Sequence, residues 1–119
     1  MTVEEVLQAV REGRSLAGQK LSGMDLSKQD LSGAKLAGTD LSGCNLSAAV
    51  LHSADLSEAN LTKADLRGAD LSEASLYKAN LIGAKLRRAN LTRSNRMQAK
   101  IRKWALKSAY IAGPTAYTE

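Results

Sequence analysis

The side chains best suited to catalysis are few in this sequence. It contains one histidine, His52, and one cysteine, Cys44, among many serines. A serine or cysteine nucleophile needs a base such as histidine within hydrogen-bonding reach, and no repeated spacing brings a serine to His52. One histidine cannot build a histidine metal cluster, and one cysteine cannot form an internal disulfide. We therefore expect no catalytic residue, no metal site and no cofactor, and we interpret the protein as non-enzymatic.

Basic side chains, which suit an anionic partner, are concentrated towards the C-terminus. Residues 1–75 carry 7 basic and 11 acidic residues (−4), whereas residues 76–119 carry 10 basic and one acidic residue (+9), which together give the net charge of +5. We predict a candidate interaction surface in this region. The residues that compose it are Arg67, Arg87, Arg88, Arg102, Lys103, Lys107 and Trp104. The alternative is that these charges only keep the protein soluble.

Several partners are compatible with such a surface. We expect a scaffold or protein-interaction module that binds another protein, or a second copy of this chain through the C-terminal end. Nucleic acid or another anionic surface is the alternative. Aromatic side chains for base stacking are few, because only Trp104, Tyr110 and Tyr77 are candidates. The sequence therefore favours a protein partner and leaves nucleic acid as the alternative.

A repeat of five residues must position these side chains. Leucine occupies every fifth position from Leu16 to Leu91, sixteen times in succession. The residue two before it is alanine in nine consecutive repeats, from Ala49 to Ala89, and the residue just before it is Asp or Asn in ten of the sixteen. Cys44 falls at one of the small positions, so we expect a buried thiol. The Asp and Asn residues are expected to stabilise turns through bonds to their own backbone.

A period of five fits neither an α-helix nor a β-strand, because neither element would keep every leucine on one buried surface. A solenoid with four sides solves this problem. If each five-residue unit forms one side, twenty residues complete a coil, and all leucines point inward. Positions twenty residues apart then stack, so Arg67, Arg87 and Lys107 would form one outward column if the coils continue. Stacked coils then share backbone hydrogen bonds at a spacing of roughly 4.8 Å.

The unit A-(D/N)-L-x-x resembles the repeat of the pentapeptide repeat proteins. It is intact in Ala54-Asp55-Leu56-Ser57-Glu58 and in Ala64-Asp65-Leu66-Arg67-Gly68, and the resemblance covers residues 14–94. It implies an all-β solenoid, the right-handed quadrilateral β-helix of that family, with about four coils. Some members imitate DNA with an acidic rod and bind type II topoisomerase. This chain is basic overall, so its charge disfavours that role.

Both ends of the solenoid need a cover. Residues 1–13 are expected to form an N-terminal capping helix, since Thr2 and Glu5 fit a capping box. Residues 95–119 have two interpretations, a C-terminal helix over about 95–112 followed by a loose tail, or a degenerate fifth coil. The helix is favoured because an indole at position 104 hardly fits an inward alanine position, and Gly113-Pro114 would end it.

The N-terminal residues also bear on localisation. Met1 to Gly13 contains three acidic residues and no apolar core of a signal peptide, and no apolar stretch approaches the roughly 20 residues that a membrane span needs. We therefore expect a cytoplasmic protein with no membrane span.

Overall fold

The computed structural model describes residues 1–112 of the chain. It contains helix α1, Val3–Arg11, and helix α2, Lys103–Leu106. Between them, parallel β-bridges join residues that are twenty apart at every fifth position, from Ser15 with Lys35 to Asn80 with Lys100. Each coil therefore has twenty residues and four sides of five. Within residues 1–112, neither helix is long and apolar enough to cross a membrane.

Three backbone hydrogen bonds in each repeat illustrate how the coils are joined. We call the coil that comes later in the chain the one above. The Leu66 amide donates to the Lys85 oxygen in the coil above at 2.8 Å, and the Asp65 amide donates to the Cys44 oxygen in the coil below at 2.9 Å. The Ala69 amide closes the corner turn by donating to the Leu66 oxygen at 3.1 Å.

The interior confirms the predicted inward leucines. All sixteen, from Leu16 to Leu91, are buried with at most 2% of their surface exposed. The small residues two before them are buried from Ala34 onwards, and Cys44 is one of these. Ala64 and Leu66, in a middle coil, have no exposed surface at all. Leucine and alanine therefore alternate along each side and fill a core that has no room for larger residues at the alanine positions.

The Asp and Asn residues make the predicted corner contacts. Asp40 shows the pattern, because its Oδ1 accepts from the Ser42 amide at 3.0 Å and from the Ser42 hydroxyl at 2.6 Å. The hydroxyl bond is the main reason that the pKa of Asp40 lies below its ordinary value. The same bond from the amide two residues later is accepted by the side chains of Asp25, Asp30, Asp40, Asn45, Asp55, Asn60, Asp65, Asp70, Asn80, Asn90 and Asn95.

The corner two residues after each leucine has a left-handed backbone, which the sequence analysis did not predict. From Gly18 to Gln98, every fifth residue has a positive φ, and ten of these residues are not glycine. A left-handed φ at the third residue of a turn lets the chain bend sharply between two sides. The composition obscures this rule, because glycine occupies only seven of these seventeen positions.

Helix α1 occupies most of the predicted N-terminal segment. The capping box is present, since the Glu5 amide donates to Thr2 Oγ1 at 3.1 Å and the Thr2 amide donates to Glu5 Oε1 at 2.8 Å. Val6 and Ala9 on the inner face of the helix are buried and belong to the same hydrophobic cluster as the leucines. The helix thus packs directly on the solenoid core.

The prediction of a helix over 95–112 is wrong, because α2 comprises only Lys103–Leu106. Asn95 and Lys100 still form bridges with the coil below, and Tyr110 forms the next one. The alternative, a degenerate fifth coil, therefore describes this backbone better. One side of that coil is replaced by a single helical turn.

The physical reason lies at Trp104, which stands two residues before Leu106 and so at an inward alanine position of the repeat. The indole does not enter the core and is 67% exposed, while the next residue, Ala105, is 5% exposed. The helical turn shifts the buried position by one residue. The predicted helix end at Gly113 and Pro114, and the predicted loose tail after them, lie outside the described residues.

Candidate protein-interaction surface

Most of the predicted surface residues lie on one side of the stack. We define the basic side as residues 64–68 and 84–88 with residues 104–108 above them. Arg67 and Arg87 occupy the same position in consecutive coils, and the Gly68 amide donates to the Arg87 oxygen at 2.9 Å. The sequence predicted this stacking from the separation of twenty residues.

Arg67 is held by a carboxylate of its own repeat. Its Nη2 lies 2.7 Å from Asp65 Oδ2, and its Nε donates to Asp65 Oδ1 at 2.9 Å. These side-chain bonds are the largest cause of the lowered pKa of Asp65 and of the raised pKa of Arg67. The two-bond geometry fixes the plane of the guanidinium group, and the pair is close to electrically neutral.

Arg87 has no such carboxylate. The position of Asp65 is taken one coil above by Lys85, so an anion is replaced by a cation. Lys85, Arg87 and Arg88 are all exposed, and none forms an ion pair with a carboxylate in residues 1–112. The basic side therefore carries uncompensated positive charge in its upper coil.

Two adjoining clefts lie on the basic side. The first has a volume of about 450 Å³ and is lined by Arg67, Gly68, Arg87 and Arg88. The second has a volume of about 370 Å³ and contains more apolar residues. Its lining residues are Arg67, Gly83, Ala84, Lys85, Leu86, Arg87, Trp104, Ala105 and Ser108. Arg67 and Arg87 line both clefts, so two positively charged side chains lie between the first cleft and the second, whose lining includes Trp104.

The remaining predicted residues lie outside these clefts. Arg102, Lys103 and Lys107 are exposed but line neither cleft. The expected stacking of Lys107 above Arg87 is wrong. The reason is the helical turn, which shifts the register by one residue so that the Arg88 amide donates to the oxygen of Ser108 at 2.7 Å. Four of the seven predicted residues therefore line the clefts, and the other three are exposed cations outside them.

One contact contradicts the expectation that no serine lies near the histidine. His52 Nδ1 is 2.8 Å from Ser72 Oγ, because the two residues are twenty apart and stack in consecutive coils. Ser72 Oγ also donates to Asp70 Oδ1 at 2.6 Å. With its proton donated to the carboxylate, the hydroxyl must accept from His52, which is the reverse of the arrangement in a serine nucleophile and its base. The coil length of twenty was the signal that would have found this contact.

The thiol of Cys44, the other candidate nucleophile, is buried. Cys44 Sγ donates to the Leu21 oxygen at 3.0 Å, and burial is the main reason that the pKa of its thiol is raised. A buried, protonated thiol is a poor nucleophile, as expected. Among residues 1–112, no group of three or more His, Cys, Asp or Glu residues could hold a metal ion.

Arg96 is a buried cation that the sequence analysis did not single out. It takes the seventeenth leucine position and is 6% exposed. Its Nη1 donates to the Leu91 oxygen at 3.2 Å and to Ser94 Oγ at 2.9 Å. Burial lowers the pKa of this arginine. The sequence signal for this buried residue is that Arg96 interrupts the series of leucines at every fifth position.

Comparison with known proteins places this architecture among solved structures. A family model described as pentapeptide repeats matches residues 15–47 and 54–93 in eight copies. A crystal structure of a pentapeptide repeat protein from Nostoc PCC 7120 is 35% identical, with 92% of this chain and 95% of that chain covered and a TM-score of 0.73. A pentapeptide repeat protein from the thylakoid lumen of Arabidopsis thaliana is 31% identical over 94% of this chain and 87% of that one, with a TM-score of 0.68.

A further similar structure is HetL of Nostoc sp. strain PCC 7120, a pentapeptide repeat protein involved in the regulation of heterocyst differentiation. It is 36% identical over 83% of this chain and 44% of HetL, with a TM-score of 0.63. No curated protein matches the sequence.

Proposed function

The chain belongs to the pentapeptide repeat family and has its right-handed quadrilateral β-helix, and on this premise we propose that it is a non-enzymatic protein-interaction module. Its basic side contacts an acidic surface of another protein. The observation that carries this proposal is the replacement of Asp65 by Lys85 one coil above, which leaves Arg87 without a carboxylate beside the exposed indole of Trp104.

Tryptophan and arginine are the residue types that most often dominate the binding energy of protein interfaces. Trp104 is the most exposed of the large apolar side chains in residues 1–112 and lines the same cleft as Arg87. Exposed apolar residues also surround this end of the solenoid, namely Met97, Tyr110 and Ile111. The combination favours a partner that offers carboxylates next to an apolar residue.

Nucleic acid is the weaker candidate. A single strand needs several aromatic platforms along a positively charged track. Trp104 stands alone on the basic side, and the ring of Tyr77 is covered by the Lys78 ammonium group at 5.4 Å. The lower coils carry the acidic corner residues, so the positive track does not continue along the stack. These features support a compact acidic site on a protein.

We also propose an assignment of the ends. Helix α1 covers the first coil, since Val6 and Ala9 join the core. About four full coils follow, and residues 95–112 form a partial fifth coil. Arg96, buried at the last leucine position, marks the place where the apolar interior ends.

An affinity capture experiment tests the proposed function. The tagged full chain is used to capture proteins from the source cell, together with the double variant Arg87→Glu/Arg88→Glu. The control variant Lys35→Glu/Lys78→Glu makes the same charge change at exposed positions on other sides. We expect proteins bound by the wild type and the control to be lost with the first variant. Equal capture by all three chains would overturn the proposal, and capture of the chain itself would make the partner a second copy.

A further inference from the structure

The ladder of backbone hydrogen bonds between coils has a gap on the basic side. Bridges recur at every fifth residue up to Asn80 with Lys100 and resume at Asn90 with Tyr110. Lys85 is bridged to Asp65 below it, but the bridge expected between Lys85 and residue 105 above it is absent within residues 1–112. The edge of residues 83–86 is therefore left without a strand above it, and pairing resumes at Arg88, whose amide donates to the Ser108 oxygen.

Three consecutive backbone groups of the ladder are unpaired at this gap. They are the amide of Gly83, the oxygen of Ala84 and the amide of Leu86, none of which has a hydrogen-bond partner among residues 1–112. All three residues line the 370 Å³ cleft. The gap thus places a donor, an acceptor and a donor beside this cleft. Ala84 and Leu86 are only 4% and 2% exposed, so another chain can bind these groups only if helix α2 moves outward.

The coil below shows what these groups bind when the ladder is complete. The Lys63 amide donates to the Ile82 oxygen at 3.0 Å, and the Ala64 oxygen accepts from the Lys85 amide at 2.9 Å. The Leu66 amide donates to the Lys85 oxygen at 2.8 Å. The left-handed corner at Gly83 lies between Ile82 and Lys85, so one residue of an extended strand satisfies the equivalents of Ala64 and Leu66, whereas the Lys63 bond belongs to the corner.

Helix α2 explains why the chain itself does not fill the gap. In a regular fifth coil, the oxygens of Arg102 and Ala105 would accept from Gly83 and Leu86. Instead, the Arg102 oxygen accepts from the Ala105 amide at 3.0 Å, and the Ala105 oxygen accepts from the Ser108 hydroxyl at 3.2 Å. The helical turn caused by Trp104 therefore withdraws both acceptors from the edge.

We propose that an extended, acidic segment of a partner protein displaces helix α2 and adds a short β-strand to the unpaired edge of residues 84–86. The proposal rests on the proposed function and specifies how its partner is recognised. Strand addition obtains affinity from main-chain hydrogen bonds and specificity from alternate side chains. One set of side chains meets the positively charged side chains of Arg67 and Arg87, and an apolar neighbour packs against Trp104.

A peptide fits this edge better than a nucleic acid does. The Ala84 oxygen needs a donor within the backbone of the ligand, and a sugar-phosphate backbone has no N–H group. The Leu86 amide needs an acceptor on the same ligand residue, as Lys85 bonds both Ala64 and Leu66 in the coil below. The charge then favours acidic side chains, since neither Arg87 nor Lys85 forms an ion pair in residues 1–112, and Asp65, which attracts Lys85, is bonded to Arg67.

Amide hydrogen exchange tests the open edge in the free full-length chain. The matched controls are the leucine amides on the two neighbouring sides, since Leu81 donates to Lys100 at 2.8 Å and Leu91 donates to Tyr110 at 2.7 Å. We expect the Leu86 amide to exchange at least about ten times faster than either control, because it is not bonded. Equal protection of the three amides would overturn the inference.

Binding is tested with a defined probe, an acetylated and amidated hexapeptide in which valine and glutamate alternate. We expect the peptide to slow the exchange of the Leu86 amide and to leave that of Leu66, one coil below, unchanged. The same peptide methylated on its backbone nitrogens, a valine–lysine version and the Arg87→Glu variant should each bind at least about ten-fold more weakly.

The outcomes separate this inference from the proposed function. Absence of any change at Leu86 with millimolar peptide, or equal binding of the methylated peptide, would overturn strand addition. If the Arg87→Glu/Arg88→Glu variant still loses its captured protein in that case, the interaction surface stands without the strand. Protection of Leu86 by oligodeoxythymidine in place of the peptide would contradict both proposals.

Discussion

Ser53 lies one coil above Gly33 at the same corner, and the two residues have nearly the same left-handed backbone, with φ of 59° and 68°. Each amide donates to the coil above at 2.9 Å, Gly33 to His52 and Ser53 to Ser72. Glycine adopts this torsion without steric cost, whereas a residue with a Cβ atom does not. The same torsion therefore carries a steric cost at Ser53 and none at Gly33.

Exchanging the residue types at these two corners should have opposite effects on stability. Gly33→Ala is expected to lower the free energy of unfolding by about 1 kcal/mol, and Ser53→Gly to raise it by up to about 1 kcal/mol. A Cβ atom at Gly33 meets nothing within 4 Å, so the effect there comes from the torsion alone. Urea unfolding of both variants measures it, and effects of the same sign would contradict the explanation.

Gly83→Ala should cost more than Gly33→Ala. It has a φ of 78°, and an added Cβ atom would lie 3.2 Å from Cγ of Lys63. The torsional cost is then joined by a close contact, although the flexible lysine side chain can relieve part of it. The same unfolding measurement compares the two variants, and a smaller loss at Gly83 would argue against the contact.

The core predicts a penalty for any larger side chain at an alanine position. Ala64→Leu adds three carbon atoms at a site with no exposed surface and should destabilise the fold by about 1–3 kcal/mol. Ala17→Leu, at an exposed position of the first coil, is the control and should be nearly neutral. A thermal melt that gives the two variants equal midpoints would contradict the packing of the interior.

Replacing Arg96 by leucine should stabilise the protein. The substitution continues the leucine series and removes a buried cation that has no carboxylate partner in residues 1–112, with a gain of about 1–3 kcal/mol. Arg102→Leu, at an exposed site, is the control. A melting temperature that falls with Arg96→Leu would show that the hydrogen bonds to Leu91 and Ser94 outweigh the cost of burial.

The corner aspartates predict a loss of stability in acid. Serine hydroxyl and amide bonds lower the folded-state pKa values of Asp25, Asp30 and Asp40. A lowered pKa means that the charged form favours folding, so this stability is complete above about pH 4, the unfolded pKa of aspartate, and is lost as the pH falls through the folded values. Urea unfolding between pH 6 and pH 2 should show a plateau followed by a decline.

The control for this titration is the triple variant Asp25→Asn/Asp30→Asn/Asp40→Asn. Asparagine keeps the acceptor oxygen, as the natural corner residues Asn45 and Asn60 show. The variant should have a shallower acid decline because three of the titrating groups are absent. An unchanged decline would place the acid sensitivity elsewhere in the chain.

The sequence predicted the repeating part of the fold but not its last coil. Inward leucines and corner aspartates follow from steric and hydrogen-bonding rules that apply to each unit separately, so Leu66 and Asp65 could be assigned without neighbours. At 95–112, a five-residue pattern and a helical pattern coincide in the same letters. Which pattern the chain follows depends on whether Trp104 enters the core. Trp104 stays outside, and the backbone forms one helical turn at this position.

The stacking of the residues in the candidate surface was predictable only in part. The separation of twenty residues correctly predicted that Arg67 lies below Arg87. The one-residue change of register at Ser108 could not be predicted, because it follows from the helical turn at Trp104. The contact of His52 with Ser72 was available from the same arithmetic. The unpaired amide of Leu86 could not be predicted from the sequence, because the composition does not show whether a backbone group is hydrogen-bonded.

The coil length of twenty residues also determines how the gene for this protein can change in length. An insertion of one complete repeat near Leu46 would keep every leucine inward but would rotate all later surface residues to the next side. Four inserted repeats would restore the orientation and raise the C-terminal end by one coil. Duplication in multiples of four repeats is therefore the route by which a lineage can lengthen the rod while the cleft at Trp104 keeps its direction relative to α1.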